Sequence, residues 1–128
     1  MRRMGFTLLE MIVVLAILGM ATALVAPATL RSIDSWRRQA AMDVLLDQIR
    51  ALPGSARARG EPIVVSDASL KSAAPPLRIA DGWTLRAEPA WRIAGNGVCE
   101  DGQVVVAGVS GERVIRVEAP FCDVAVVP

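Results

Sequence analysis

A chain of 128 residues allows one small domain and one long apolar element, but hardly two independent cores. Its 53% hydrophobic content is concentrated near the start. Removing Arg2, Arg3 and Glu10 from the totals leaves twelve basic and twelve acidic side chains, all beyond Leu30, a balance that provides no general attraction for nucleic acid. With no His and only Cys99 and Cys122 as soft ligands, Cys-rich and His-rich metal sites are excluded and no cofactor is expected.

The chain opens with Met1-Arg2-Arg3-Met4-Gly5, continues with Phe6-Thr7-Leu8-Leu9-Glu10, and then runs for twenty residues, Met11 to Leu30, without a formal charge. At about 1.5 Å per residue such a helix spans roughly 30 Å, the hydrocarbon thickness of a bilayer. Arg2 and Arg3 precede the span, so the positive-inside rule holds the N-terminus in the cytoplasm and carries the remainder across the membrane. A secretory signal peptide would also begin this way. It expects an Ala-x-Ala-like cleavage site after the apolar run, for which Ala21-Thr22-Ala23 and Ala26-Pro27-Ala28 serve only imperfectly. Glu10 opposes that reading further, because a carboxylate near a membrane centre costs on the order of 3 kcal/mol, less at the edge, and is usually kept for function.

Gly5-Phe6-Thr7-Leu8-Leu9-Glu10 followed by Met11-Ile12-Val13-Val14-Leu15-Ala16-Ile17-Leu18-Gly19 resembles the class III signal of type IV prepilins and type II secretion pseudopilins. The resemblance covers roughly the first thirty residues. It implies that a membrane-embedded prepilin peptidase cuts after Gly5 and methylates the new N-terminal residue, Phe6, while the apolar helix is retained. A glycine before the cut leaves no Cβ to obstruct a protease. After cleavage Glu10 lies four residues from the Phe6 amine, and pairing the two charges avoids much of the desolvation cost of either alone. The resemblance implies pairing between neighbouring subunits, where it sets the axial register of a filament. An interfacial Glu10 snorkelling to headgroups is the simpler alternative.

Pro27 removes one helical hydrogen bond, so it either kinks the apolar helix or ends it. The resemblance implies curvature and a role in assembly, and the next segment argues for continuation. Ile33, Trp36, Ala40, Ala41, Val44, Leu45, Gln48, Ile49 and Leu52 recur at helical spacing, while Arg37, Arg38, Asp43, Asp47 and Arg50 are polar. Pro53-Gly54 is expected to stop this helix. The expected organisation is a leader peptide over 1–5, a transmembrane and assembly helix over 6–30, its amphipathic continuation over 31–53, and a β-rich periplasmic head over 54–128. That is an α+β, pilin-like fold, with the long helix packed on a small antiparallel sheet.

Beyond Pro53 the period shortens. Ser55 to Gly60 reads as a polar turn, Pro62 to Ser66 as a strand and Ser69 to Pro76 as an exposed loop. In Trp83 to Glu88, Trp83, Leu85 and Ala87 face one way and Thr84, Arg86 and Glu88 the other. Gln103 to Ala107, Arg113 to Glu118 and Asp123 to Val127 complete the strands, with turns at Asp101-Gly102 and Ser110-Gly111. Cys99 and Cys122, in an oxidising compartment, are expected to form a disulfide. Glu100, Asp101 and Asp123 adjoin them, but without an Asp-rich loop of recognisable spacing no metal is expected.

Gly82-Trp83-Thr84-Leu85 and Cys99-Glu100-Asp101-Gly102 resemble the head of the type II secretion minor pseudopilin H and its FimT-class type IV pilus relatives. This resemblance implies a non-enzymatic subunit of a periplasmic pseudopilus that supports protein export. Its partners would be other major and minor pseudopilins, prepilin peptidase, an inner-membrane assembly platform and membrane lipid. The implied location is the bacterial inner membrane, crossed once, with the head in the periplasm. The alternative is a minor pilin of type IV pilus assembly or DNA uptake, with Arg57, Arg59, Arg113 and Arg116 as DNA contacts. Charge balance weighs against nucleic acid. With no His, no nucleophile motif and no paired buried acids, catalysis is not expected.

Overall fold

The structure, a computed structural model, describes residues 5–108 and 111–127. Most of the leader, with Arg2 and Arg3, and the Ser110 position of the expected turn lie outside the described residues. The chain divides into two compact units, Met1–Gln39 and Ala40–Pro128.

One helix, α1 (Leu8–Arg59), supplies residues to both units. In the first unit it carries the uncharged run, and every described residue there is exposed. The helix runs uninterrupted through Pro27, so this proline does not end it. In the second unit Met42, Leu45, Ile49, Leu52 and Ala56 recur at spacings of three and four and are buried. Val44, expected on the buried face, is 58% exposed, and Met42 occupies the core instead.

The expected stop at Pro53-Gly54 is corrected by α1 itself, which continues to Arg59. Pro53 forfeits one backbone hydrogen bond, but its ring is buried and Ala56, one turn further on, is wholly buried. Packing of that last turn outweighs the proline. The helix ends where Gly60 takes a φ of 65° and its N–H donates to the Ala56 carbonyl at 2.9 Å. A left-handed residue at this position is the usual helix terminator, and only glycine adopts it without strain. Ser55 to Gly60 is therefore the last helical turn and its cap rather than a polar loop.

After α1 come β1 (Ile63–Val65), the short helix α2 (Asp67–Leu70), β2 (Thr84–Arg86), β3 (Trp91–Ile93), β4 (Gly102–Gly108), β5 (Gly111–Glu118) and β6 (Asp123–Val127). They form two antiparallel sheets, a pair β1-β3 and a four-stranded sheet in the order β2-β4-β5-β6. The expected alternation in Trp83 to Glu88 is present, with Trp83 and Leu85 half-buried, Ala87 buried and Thr84, Arg86 and Glu88 exposed. Two elements differ from expectation. α2 occupies the start of the expected loop, nucleated by reciprocal Ser66 and Ser69 capping, and β3 adds a strand with no counterpart in the sequence reading.

Leu45, Ile49, Leu52 and Ala56 from α1 share one buried cluster with Val65, Trp91, Ile93, Val104, Val106, Ile115 and Val117 from the strands. The α1 face is also tied by polar contacts. The Gln48 amide donates to the Arg78 carbonyl and accepts from the Arg78 N–H, each at 2.8 Å, fixing the loop before β2 as a neighbouring strand would. Asp67 accepts from the Ala87 N–H at 2.7 Å and so anchors α2 beyond the end of β2.

The sequence places Gly102 in a turn, whereas in the structure it opens β4, with the indole of Trp91 in the place of its missing side chain. A Cβ there would overlap the ring of Trp91, which is itself only 2% exposed. Gly102→Ala should therefore destabilise the fold by about 1–3 kcal/mol through overpacking. The check is thermal unfolding of the full chain in detergent, where a melting temperature equal to the parent's would contradict the Trp91–Gly102 packing.

Candidate functional site

Gly5, Phe6 and Thr7 precede the first helical residue, and Phe6 is 74% exposed. Thr7 is the cap of α1. Its hydroxyl oxygen accepts from the Glu10 N–H and its carbonyl accepts from the Met11 N–H, both at 3.2 Å. Thr7 and Glu10 thus stand at capping-box spacing, and the half in which the third helical amide is satisfied by the cap is formed. Glu10 lies in the first turn, where a carboxylate is favoured by the helix dipole. The helix begins at Leu8 rather than at Phe6, so the bond between Gly5 and Phe6 lies in non-helical backbone.

The run that follows is long and apolar enough to cross a membrane, and none of its most hydrophobic window is buried by the chain's own residues. A core helix of a soluble protein would be covered. Its only polar side chains, Thr22 and Thr29, both return their hydroxyl protons to the helix. Thr22 donates towards the Leu18 and Gly19 carbonyls at 3.1 and 2.9 Å, and Thr29 donates to the Val25 carbonyl at 2.9 Å. Neither hydroxyl needs water. That is the condition for placing them in hydrocarbon, where an unpaired polar group costs several kcal/mol.

Comparison with known protein families matches residues 1–26 to the prokaryotic N-terminal methylation motif. The chain carries a type IV pilin-like signal. The matched stretch spans Gly5, Phe6 and Glu10 and stops one residue before Pro27. Comparison with curated proteins and with solved structures finds no match. The pilin-like signal and the exposed apolar helix agree with membrane anchoring, and the helix packed on antiparallel sheets is a pilin-like arrangement.

The four arginines considered for nucleic acid do not form one strip. Arg57 and Arg59 are in the last turn of α1, and the Arg57 side chain lies over Gly97, where a Cβ would come within 2.9 Å of its Nε. Arg113 and Arg116 are three residues apart on β5, so they project to opposite faces of the sheet. Two further arginines are engaged with carboxylates, Arg86 with Glu112 at 2.8 Å and Arg92 with Glu100 at 3.2 Å.

Cys99 and Cys122 are joined in a disulfide, with their Cα atoms 5.4 Å apart and each side chain 1% exposed. Cys99 forms a bridge with Ile93 at the end of β3, its N–H donates to the Pro120 carbonyl at 2.8 Å, and Cys122 immediately precedes β6. The disulfide therefore staples the two-stranded sheet to the far edge of the four-stranded one. Of the carboxylates beside it, Glu100 pairs with Arg92 and Asp101 accepts from the Ala119 N–H at 2.7 Å. Among the described residues no group of three or more His, Cys, Asp or Glu side chains is arranged to hold a metal ion.

The bridged residues are 23 apart in sequence, and closing a loop of that length stabilises by about 3 kcal/mol in the chain-entropy model. Cys99→Ala should lower the stability of the head by about that amount. Protein isolated without reductant should resist thiol alkylation until it is reduced, whereas immediate labelling of two thiols would contradict the pairing.

Proposed function

We propose that the chain is a minor pseudopilin of a type II secretion pseudopilus, of the H type. In this reading the peptidase cuts the Gly5–Phe6 bond and methylates Phe6, and the subunit enters the filament through its apolar helix. The observation that carries it is the combination at the N-terminus. A methylation motif over residues 1–26 takes in the start of an apolar helix that finds no cover within its own chain. Such a helix requires lipid first and neighbouring helices after assembly. The partners are then other major and minor pseudopilins, the peptidase, the inner-membrane assembly platform and membrane lipid. The chain acts as a structural subunit rather than a catalyst, anchored in the inner membrane with its head in the periplasm.

The H-type assignment draws on Gly82-Trp83-Thr84-Leu85 and on Cys99-Glu100-Asp101-Gly102. A minor type IV pilin would use the same N-terminal chemistry. Its DNA-binding variant finds less support, since the candidate arginines lie on separate elements and the charge beyond Leu30 is balanced.

Glu10 has one local reason to exist, the helix dipole, and a second in compensating the amine of Phe6 on a neighbouring subunit. Incorporation separates them. Glu10→Gln keeps the shape and the backbone N–H that Thr7 caps but removes the charge. With the amine left unpaired in a low-dielectric core, cross-linking to the major subunit should fall at least tenfold, while cleavage and membrane abundance stay at parental levels. Unchanged incorporation of both Glu10→Gln and Glu10→Ala would refute the charge-pairing role.

A further inference from the structure

The sequence signal identifies which bond is processed but not what conformation presents it. The helix would gain by starting earlier, since Phe6 is apolar and Leu8 onward is an uninterrupted helical run. Instead Thr7 stops it. The first helical acceptor outside the regular run is the Thr7 carbonyl, bonded by the Met11 N–H, and the Thr7 hydroxyl takes the Glu10 N–H that otherwise has no partner at a helix start. A capping residue has extended backbone angles, so the chain upstream of Leu8 leaves the helix with Gly5 and Phe6 exposed.

We propose that Thr7 is a positioning residue for processing: its cap fixes the start of α1 and thereby holds the Gly5–Phe6 bond in non-helical backbone where a peptidase can reach it. This rests on the reading that the bond after Gly5 is the one cut. Hydrolysis adds one water across that bond. The C–N bond breaks, Gly5 leaves as a carboxylate and Phe6 gains the amine proton. Attack on the carbonyl carbon requires one open face of the peptide plane and room for the oxygen to move as the carbon becomes tetrahedral. A peptide inside a helix has its carbonyl committed along the axis and its faces screened by adjoining turns. Without the Thr7 oxygen the boundary is free to move upstream, and Gly5 is a ready substitute because glycine caps a helix about as well as threonine. Phe6 then becomes the first helical residue and the scissile bond joins the helix.

The test is the cleavage rate of the full-length precursor in membranes containing prepilin peptidase. Thr7→Ser and Thr7→Asn keep an acceptor oxygen and should be cut within about twofold of the parent. Thr7→Val, the near-isostere without an acceptor, and Thr7→Ala should be cut about fivefold more slowly, alanine the slower because it is the better helix former. Chemical shifts of Phe6 in detergent should turn helical in Thr7→Ala and stay non-helical in Thr7→Asn. Equal rates for Val, Ala and the parent would overturn the role of the cap while leaving the processing reading intact. Uniformly slow Ser, Asn, Val and Ala would overturn it too, by showing that the enzyme reads the threonine side chain itself. A parent precursor left uncut at Gly5 would instead refute the processing reading on which the inference stands.

Discussion

The constraint on which the rest depends is the uncovered apolar run of α1. Between Met11 and Leu30 eleven side chains are Leu, Ile, Val or Met, and Leu24, Met20 and Leu15 are exposed by 79, 71 and 68%. Even at ~1.5 kcal/mol each, the low end for removing such side chains from water, they outweigh several-fold the ~3 kcal/mol that one carboxylate costs near a membrane centre. The run therefore decides where the helix goes, and Glu10 is tolerated at its edge. Satisfaction of Thr22 and Thr29 within the helix removes the remaining polar cost. A secretory signal would discard this surface once it had served. The methylation motif instead includes the run as far as Ala26.

The head answers a different problem, a small core shared by two sheets. Fully buried side chains from α1 and the strands form one cluster, but the β1-β3 pair is too short to hold itself. It is secured at two points. Trp91 packs where Gly102 lacks a side chain, and the Cys99–Cys122 disulfide bridges from the end of β3 to the start of β6. The Glu100 N–H adds a backbone bond to the Arg92 carbonyl at 3.0 Å. Stability of the head thus rests on features separate from the membrane run, so changes at Gly102 or Cys99 should leave the N-terminal segment unaffected.

Much of this was legible in the sequence because it depends on local pattern. The uncharged run, the periodic segment after Leu30, the alternation from Trp83 to Ala87 and the two cysteines each signal their structure directly. The failures lie where tertiary packing overrode a local rule. Pro53 reads as a stop, but burial of Ala56 carries the helix on to Gly60. Val44 and Met42 are both apolar on the same helix, and only the position of the sheets decides that Met42 is buried. β3 is three residues long between Pro89 and Gly95, too short for alternation to register, and Gly102 looks like a turn residue because its true neighbour, Trp91, is eleven positions away. At the candidate site Gly5, Phe6 and Glu10 were readable from the signal. Thr7 was not singled out, although Thr-x-x-Glu before an apolar run is itself a recognisable helix start.

The most direct measurement is the intact mass and N-terminal sequence of the protein recovered from bacterial membranes that contain prepilin peptidase. The account predicts a chain that begins at N-methylated Phe6 and keeps the whole apolar run. A mature chain beginning beyond Ala23, with the apolar segment gone, would contradict it and return the N-terminus to an ordinary secretion signal.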